Sequence, residues 1–221
     1  MAYQIMKQEL SYKILLDKNW SLEEFTVFTR LYFQNYSFIY CLENSDDSNI
    51  LQQEFKLKNV LKNYKLRSGL SYVNIYSILK GQINKNEKPN VKSIKYASPG
   101  WIELYLNYEV AIEIAKAMTI FLTSAATVTL AYKKLYKIFI ELHHLRKEKR
   151  NASLSLDIEQ VKLVNRLNNE LAKGLGYSNL NKLNENTRDI EETSKLLMAH
   201  YRRMNKMADY VRKGKANFPE E

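Results

Sequence analysis

Residues 117–132, AMTIFLTSAATVTLAY, run for sixteen positions without a charged side chain. Lys116 precedes this uncharged run, and Lys133 and Lys134 follow it. Because no Pro or Gly interrupts residues 109–149, we predict a single helix over that range, on the order of 60 Å long. A helix that is apolar on nearly every side must be buried by its own fold, a second copy of the chain, another protein or lipid.

Membrane insertion is the less favoured of these solutions. A spanning helix needs about twenty predominantly apolar residues, whereas this run is shorter and contains five Thr or Ser side chains. Small residues at Ala117, Ala125 and Ala126 permit the close approach of another helix. The apolar spacing continues through Leu135 and Phe139, past the reach of a small core, and this favours burial between copies of the chain.

A second apolar pattern lies near the C-terminus. The residues of this pattern recur every seven positions in a helix predicted over residues 187–213, which is the spacing of a coiled-coil seam. We therefore predict an oligomer interface that combines this seam with the uncharged run. Its residues are Ala117, Phe121, Ala125, Ala126 and Val128 from the run, and Ile190, Leu197, Met204 and Val211 from the seam.

The N-terminal part begins with a β-like run, SYKILLD, over residues 11–17. The next segment, WSLEEF, is typical of a helix start. Ser21 and Glu24 are placed to form a capping box, and Trp20 and Phe25 occupy the positions of a hydrophobic staple. This helix should end near Glu43, and a shorter helix is predicted over residues 50–64.

Strand signals dominate the stretch before the long helix. LSYVNIYSIL over residues 70–79 and VKSIKYA over residues 91–97 are rich in β-branched and aromatic residues, and each predicts a strand. Ser98, Pro99 and Gly100 should break the second strand, with Gly100 at a positive φ as in a type II turn. Residues 101–108 predict a further strand that becomes helical by Glu109.

These signals together predict a helix-rich α+β protein. A small N-terminal α/β domain over residues 1–107, with short strands and two helices, packs on three long helices over residues 108–213. Asp157 and Gln160 supply a capping box for the second of these helices, which should end at Gly174 and Gly176. We expect the long helices to form a bundle or a coiled-coil-like assembly, and residues 214–221 to be a flexible tail.

The formal net charge of +10 is unevenly distributed along the chain. Residues 1–66 carry eight Lys or Arg against eight Asp or Glu, whereas residues 67–150 carry fourteen against six. This basic region predicts an anionic partner, either nucleic acid or another acidic molecule; the alternative is a compositional bias toward Lys, Asn, Ile and Tyr. The candidate nucleic-acid-binding residues are Lys92, Lys95, Lys133, Lys134, Lys137, Arg146, Lys147 and Arg150.

The sequence offers little for catalysis or metal binding. It contains no Gly-rich phosphate loop, no HExxH motif and no CxxC motif, and its three His and one Cys have no zinc-site spacing. We therefore predict no catalytic residues, no metal and no cofactor. The single Cys41 is expected in the core as a free thiol, and the N-terminus lacks a secretory h-region, so a cytoplasmic location is expected.

The preferred function is that of a non-enzymatic assembly or interaction protein, which forms homo-oligomers through its long helices. The alternative is nucleic-acid binding by the basic region over residues 67–150. A helical nuclease or toxin-like enzyme is a third and less favoured class, because no catalytic set is visible.

Overall fold

The computed structural model of the chain describes residues 11–42, 75–151, 154–177, 180–187 and 189–220. These residues form a helix-rich structure with one small antiparallel sheet, which confirms the predicted α+β class. The loop and helix predicted within residues 44–64, and the first half of the strand predicted over residues 70–79, lie outside the described residues.

The sheet has four strands in the order β2-β3-β1-β4, and all neighbours are antiparallel. Their bounds are β1 Ser11–Leu16, β2 Asn90–Lys95, β3 Gly100–Tyr105 and β4 Ala216–Asn217. The strands predicted over residues 11–17, 91–97 and 101–108 are therefore confirmed. Side chains alternate between faces along a strand, so Tyr12, Ile14 and Leu16 of β1 are buried while Lys13 and Leu15 point to the other face.

Strand β4 corrects the expectation of a flexible tail. Ala216 and Phe218 are buried, and the Phe218 ring stacks on Tyr32 with ring centroids 6.1 Å apart. The Lys215 ammonium group also lies 2.6 Å from a carboxylate oxygen of Glu24. The C-terminal segment thus closes the sheet beside β1, although a two-residue strand is too short to give a periodic signal in the sequence.

The turn between β2 and β3 confirms the break at Ser98, Pro99 and Gly100, and the Ser98–Pro99 peptide bond is cis. The predicted positive φ at Gly100 is wrong, because Gly100 is the first residue of β3 and lies outside the left-handed region. Glycine is required there for a different reason. A Cβ atom at this position would lie 2.3 Å from the backbone oxygen of Lys95 and 2.7 Å from that of Ala97.

Six α-helices occur among the described residues. They are α1 Leu22–Leu42, α2 Ile75–Gln82, α3 Tyr108–Glu148, α4 Ile158–Gly174, α5 Leu180–Thr187 and α6 Ile190–Arg212. Both predicted capping boxes are formed: Ser21 and Glu24 exchange hydrogen bonds of 3.0 and 3.1 Å, and Asp157 and Gln160 do so at 2.7 and 3.1 Å. The long helix begins at Tyr108, one residue before its predicted start at Glu109, and α5 was not predicted.

Helix α2 corrects the strand predicted over residues 70–79, for the residues that the structure describes. Ile75, Tyr76 and Leu79 are buried at the i, i+1 and i+4 positions of one helical face, which packs against α1. A short run that is apolar at most positions fits a buried strand or a buried helix equally well. Contact with α1 decides between them here.

One hydrophobic core includes residues from both the N-terminal part, predicted over residues 1–107, and the helical part, predicted over residues 108–213. Phe28 of α1 and Leu104 of β3 belong to the same cluster of buried residues as Phe121 of α3 and Leu197 of α6. Helix α3 lies at the centre of this arrangement, because it packs against α1, α4, α6 and β1. The inner face of the uncharged run is therefore covered by the chain itself.

Candidate functional surfaces

Helix α3 has one buried face and one exposed face along the uncharged run. Phe121 and Val128 are completely buried, and Ala117 and Ala131 are nearly so. The opposite side is open to solvent and is formed by Thr119, Ile120, Thr123, Ala126, Thr127 and Leu130. These six residues recur at the three- and four-residue spacing of a single helical stripe, which we call the uncharged face.

The uncharged face is only mildly polar beyond its first residue, Thr119, whose hydroxyl donates to a carboxylate oxygen of Glu220 at 2.6 Å. The Thr123 hydroxyl donates to the backbone oxygens of Thr119 and Ile120 at 3.1 and 2.9 Å, so its donor is used within the helix. Two large apolar side chains stand on the face, with Ile120 41% exposed and Leu130 58% exposed. Hydroxyls that bond back to the helix allow such a face to be covered at a lower cost in unsatisfied polar groups.

The structure divides the predicted oligomer-interface residues into core and surface positions. Ala117, Phe121, Val128, Leu197 and Met204 are buried within the single chain, where they contribute to the core. Ile190, Val211 and Ala125 are partly buried, and Ala126 is exposed. The heptad spacing in α6 therefore describes the packing of that helix against α1, α3 and α4 within one chain.

The two ends of α3 carry net charges of opposite sign. Glu109 and Glu113 lie before the uncharged face together with Lys116, which pairs with Glu113 at 3.0 Å. Beyond the face, Lys133, Lys134 and Lys137 are exposed, and Lys137 lies 3.9 Å from Glu141. The first end is thus slightly acidic, and the second is basic.

The predicted nucleic-acid-binding residues do not form one cluster. Lys133, Lys134, Lys137, Lys147 and Arg150 are exposed along the C-terminal half of α3 and its end, whereas Lys92 and Lys95 lie on β2. Arg146 is occupied by structural contacts.

The guanidinium group of Arg146 holds α3 to α6. It donates to both carboxylate oxygens of Glu191 at 2.9 and 3.0 Å, and to the backbone oxygen of Leu154 at 2.7 Å. Lys195 also contacts Glu191, at 2.7 Å. The predicted role of Arg146 in phosphate binding would require these bonds to break.

The outer face of the sheet, turned away from the helices, is basic and aromatic. Trp101 and Tyr105 of β3 lie on it, flanked by lysines from the neighbouring strands. The Lys13 and Lys95 ammonium groups lie 5.3 and 4.7 Å from the Trp101 ring centroid, and Lys92 lies 5.3 Å from that of Tyr105. Cation–π contact is the attraction expected at such distances.

Glu103 is the one acidic side chain contributed by β1, β2 and β3, the three strands that carry this outer face. It accepts hydrogen bonds from Ser11 at 2.7 Å, from Lys92 at 3.0 Å and from Ser93 at 3.0 Å. These bonds, that of Ser11 first and that of Lys92 next, lower the pKa of Glu103 to about 2. Glu103 therefore stays ionised and neutralises Lys92, whereas Lys13 and Lys95 have no acidic partner around Trp101 among the residues that the structure describes.

The two candidate reactive groups are Cys41, which is partly buried, and His200, which is fully buried. Burial raises the pKa of Cys41 to about 12, and its thiol donates to the backbone oxygen of Leu79 at 3.4 Å. His200 is 1% exposed and stacks on Phe38 with ring centroids 3.8 Å apart. Burial, and then the nearby Arg203, lowers the pKa of His200 to about 3. Both side chains behave as core residues at neutral pH.

Sequence reasoning did not identify Lys13, Trp101 or Tyr105 as surface residues. The signal that was available is the alternation in β1 and β3, where every second residue is buried and the intervening residues, apart from Leu15, are polar, charged or aromatic. Trp101 and Tyr105 are i and i+4 in a strand, so they must share a face. Which face meets the helices depends on long-range packing.

Comparison with protein-family models, with curated proteins and with solved structures finds no match to this chain. By length and composition, α3 is the one helix among the described residues that could cross a membrane, and 39% of its most apolar window is buried inside the protein.

Proposed function

We propose that the protein is a non-enzymatic assembly protein that self-associates through the uncharged face of α3. The observation that supports this proposal most strongly is the exposure of that face in the single chain. From Ile120 to Leu130 no charged residue of the helix interrupts it, over roughly 15 Å. A stripe with Ile120 and Leu130 exposed gains free energy when a second copy removes it from water.

The charges at the ends of α3 favour an antiparallel pairing of two copies. In that orientation Glu109 and Glu113 of one helix lie near Lys133 and Lys137 of the other. A parallel pairing would instead place the three exposed lysines of both copies side by side, which disfavours it. The resulting contact is a coiled-coil-like pair of long helices, with small residues such as Ala126 at its centre.

A second copy suits this face better than lipid does. Insertion of α3 into a bilayer would remove Phe121 and Val128 from contacts that bury them completely in the core. A contact with a second copy leaves that core intact. Because the uncharged face is small for a stable dimer, the expected dissociation constant is on the order of micromolar.

Ala126→Glu tests the proposal, since the position is exposed in the single chain and the variant should fold normally. We expect sedimentation equilibrium to show a monomer–dimer equilibrium for the wild type and a monomer for the variant. Ile158→Glu is the matched control, because Ile158 is 76% exposed on α4, away from the uncharged face. A wild type that stays monomeric up to high micromolar concentration would refute self-association.

Cysteine cross-linking tests the orientation. In a Cys41→Ser background, Thr123→Cys lies at the centre of the pairing, midway between Glu113 and Lys133, and should form an intermolecular disulfide. Lys116→Cys lies at one end and should not, because the antiparallel partner presents its other end there. Efficient cross-linking at both positions would indicate a parallel pair.

A further inference from the structure

We infer that the outer face of the sheet binds single-stranded nucleic acid, with Trp101 and Tyr105 as stacking platforms and Lys13 and Lys95 as phosphate contacts. This surface is separate from the uncharged face of α3, and the inference does not depend on self-association. It keeps Lys95 of the sequence-based prediction, leaves out Lys92 because that lysine pairs with Glu103, and replaces the helical lysines with residues of β1 and β3.

The geometry of the rings suits stacking with unpaired bases. Trp101 and Tyr105 are four residues apart on β3, so their rings are separated by about 13 Å along the strand. Both rings are partly exposed. Every base has a π-face, so an aromatic side chain on an open surface can stack on any of them. A duplex keeps its bases stacked inside, where the side chains of Trp101 and Tyr105 cannot stack on them.

The charges are placed on both sides of the Trp101 ring. β1 and β2 flank β3, so Lys13 approaches from one neighbouring strand and Lys95 from the other. A base that stacks on Trp101 would have an ammonium group on either side of it for the adjoining phosphates. The lysine side chains are long and exposed, and they can leave the ring face when a base stacks there and its phosphates replace the π contact.

One further feature favours an anionic ligand. Glu103 is fully engaged by Ser11, Ser93 and Lys92, so it does not oppose phosphate with a free negative charge. A ligand with both rings and phosphates uses the aromatic side chains and the lysines of this face together.

Fluorescence anisotropy with a labelled oligo(dT) of about twelve nucleotides, within the site sizes known for single-strand binders, tests the inference. We expect salt-dependent binding by the wild type. Trp101→Ala should weaken it roughly 5- to 150-fold, the range expected for loss of one stacked base. Trp101→Phe should retain most of the affinity, because a ring remains.

Intrinsic fluorescence gives a second readout. The chain has two tryptophans, and Trp20 is buried against Tyr210 with ring centroids 5.2 Å apart. Stacking of a base on Trp101 should therefore quench part of the emission in the wild type. The same titration of Trp101→Phe should show no quenching although binding persists.

A pair of matched double variants tests whether the lysines of the sheet bind the phosphates, or whether any positive charge on the protein serves equally well. Lys13→Gln with Lys95→Gln should lower the slope of log affinity against log salt by about 1.4, for two lost phosphate contacts. Lys133→Gln with Lys134→Gln removes the same charge from α3 and should change binding little. Equal losses in both pairs, preference for duplex DNA, or binding without Trp101 quenching would each overturn the inference.

Discussion

The contact between α3 and α6 depends on an ion pair that is mostly removed from water, and Glu191→Gln tests its contribution to stability. The Glu191 side chain is 16% exposed, and it receives two bonds from Arg146 and one from Lys195. Glutamine has the same shape but no charge, so both cations lose their main counter-charge. The Lys195 side chain is only 5% exposed, which makes the loss costly.

Breaking a buried pair by removal of one partner costs about 3–5 kcal/mol. We expect the lower end, about 3 kcal/mol, because Lys195 keeps Glu192 at 3.6 Å and Arg146 is partly exposed. For a chain of this length, that loss corresponds to a fall in Tm of roughly 6–12 °C. Urea unfolding followed by circular dichroism should show a lower midpoint with an unchanged m-value.

Glu141→Gln is the matched control. Glu141 and Lys137 form an exposed pair at 3.9 Å, with side chains 58% and 79% exposed. Such pairs contribute at most about 1 kcal/mol, and commonly nothing measurable. Equal stability losses in the two variants, or no loss in Glu191→Gln, would contradict the reasoning from burial.

The pH dependence of the Glu191 effect has a definite sign. Burial alone raises the pKa of Glu191, but hydrogen bonds from Arg146 and then Lys195 outweigh it and hold the pKa below its usual value. The stabilisation is therefore complete above the ordinary glutamate pKa, and it is lost as the pH falls through the folded-state pKa. The difference between the wild type and Glu191→Gln should be full at pH 7 and shrink in strong acid.

Two further variants test the helix packing. Gly174→Ala should destabilise the fold by about 1–3 kcal/mol in urea unfolding, because its Cβ would lie 1.9 Å from Cγ2 of Val128; adding Val128→Ala should recover part of that loss, and strict additivity would contradict the clash. His200→Phe should remove a pH dependence of up to about 1.4 kcal/mol per unit below pH 6.5. Burial keeps His200 neutral when folded, whereas the unfolded chain takes up a proton, so wild-type stability should fall with acidification and the variant should not share that slope.

Local signals in the sequence identified most of the regular structure. Capping boxes at Ser21 and Asp157 define helix starts by short-range hydrogen bonds, and those bonds are present. The boundary at Tyr108 also follows from local sequence, because Asn107 accepts a hydrogen bond from the backbone of Val110. The segment over residues 75–79 was misjudged because its apolar residues fit either period, and only contact with α1 makes it helical.

The surfaces were harder to predict, because exposure is a property of the whole fold. The uncharged run indicated that α3 must be buried. The sequence did not show that one face of this helix packs against α1, α4 and α6 of the same chain. The heptad spacing of Leu197 and Met204 looked like an interface and is part of the protein's own core. An apolar stripe indicates that a helix face is buried, but it does not indicate whether the residues that cover it belong to the same chain.

The basic region over residues 67–150 shows that the sequence likewise does not reveal which charged side chains lie together at the surface. Arg146 lies close in sequence to Lys147 and Arg150, yet it is taken up by Glu191, forty-five residues away. Lys13 lies outside the region, in a segment whose charges balance, and the antiparallel pairing of β1 with β3 brings it to Trp101. Phosphate recognition depends on which cations remain unpaired at the surface and on what lies between them. For this chain, those criteria favour the sheet face over the richer cluster of lysines on α3.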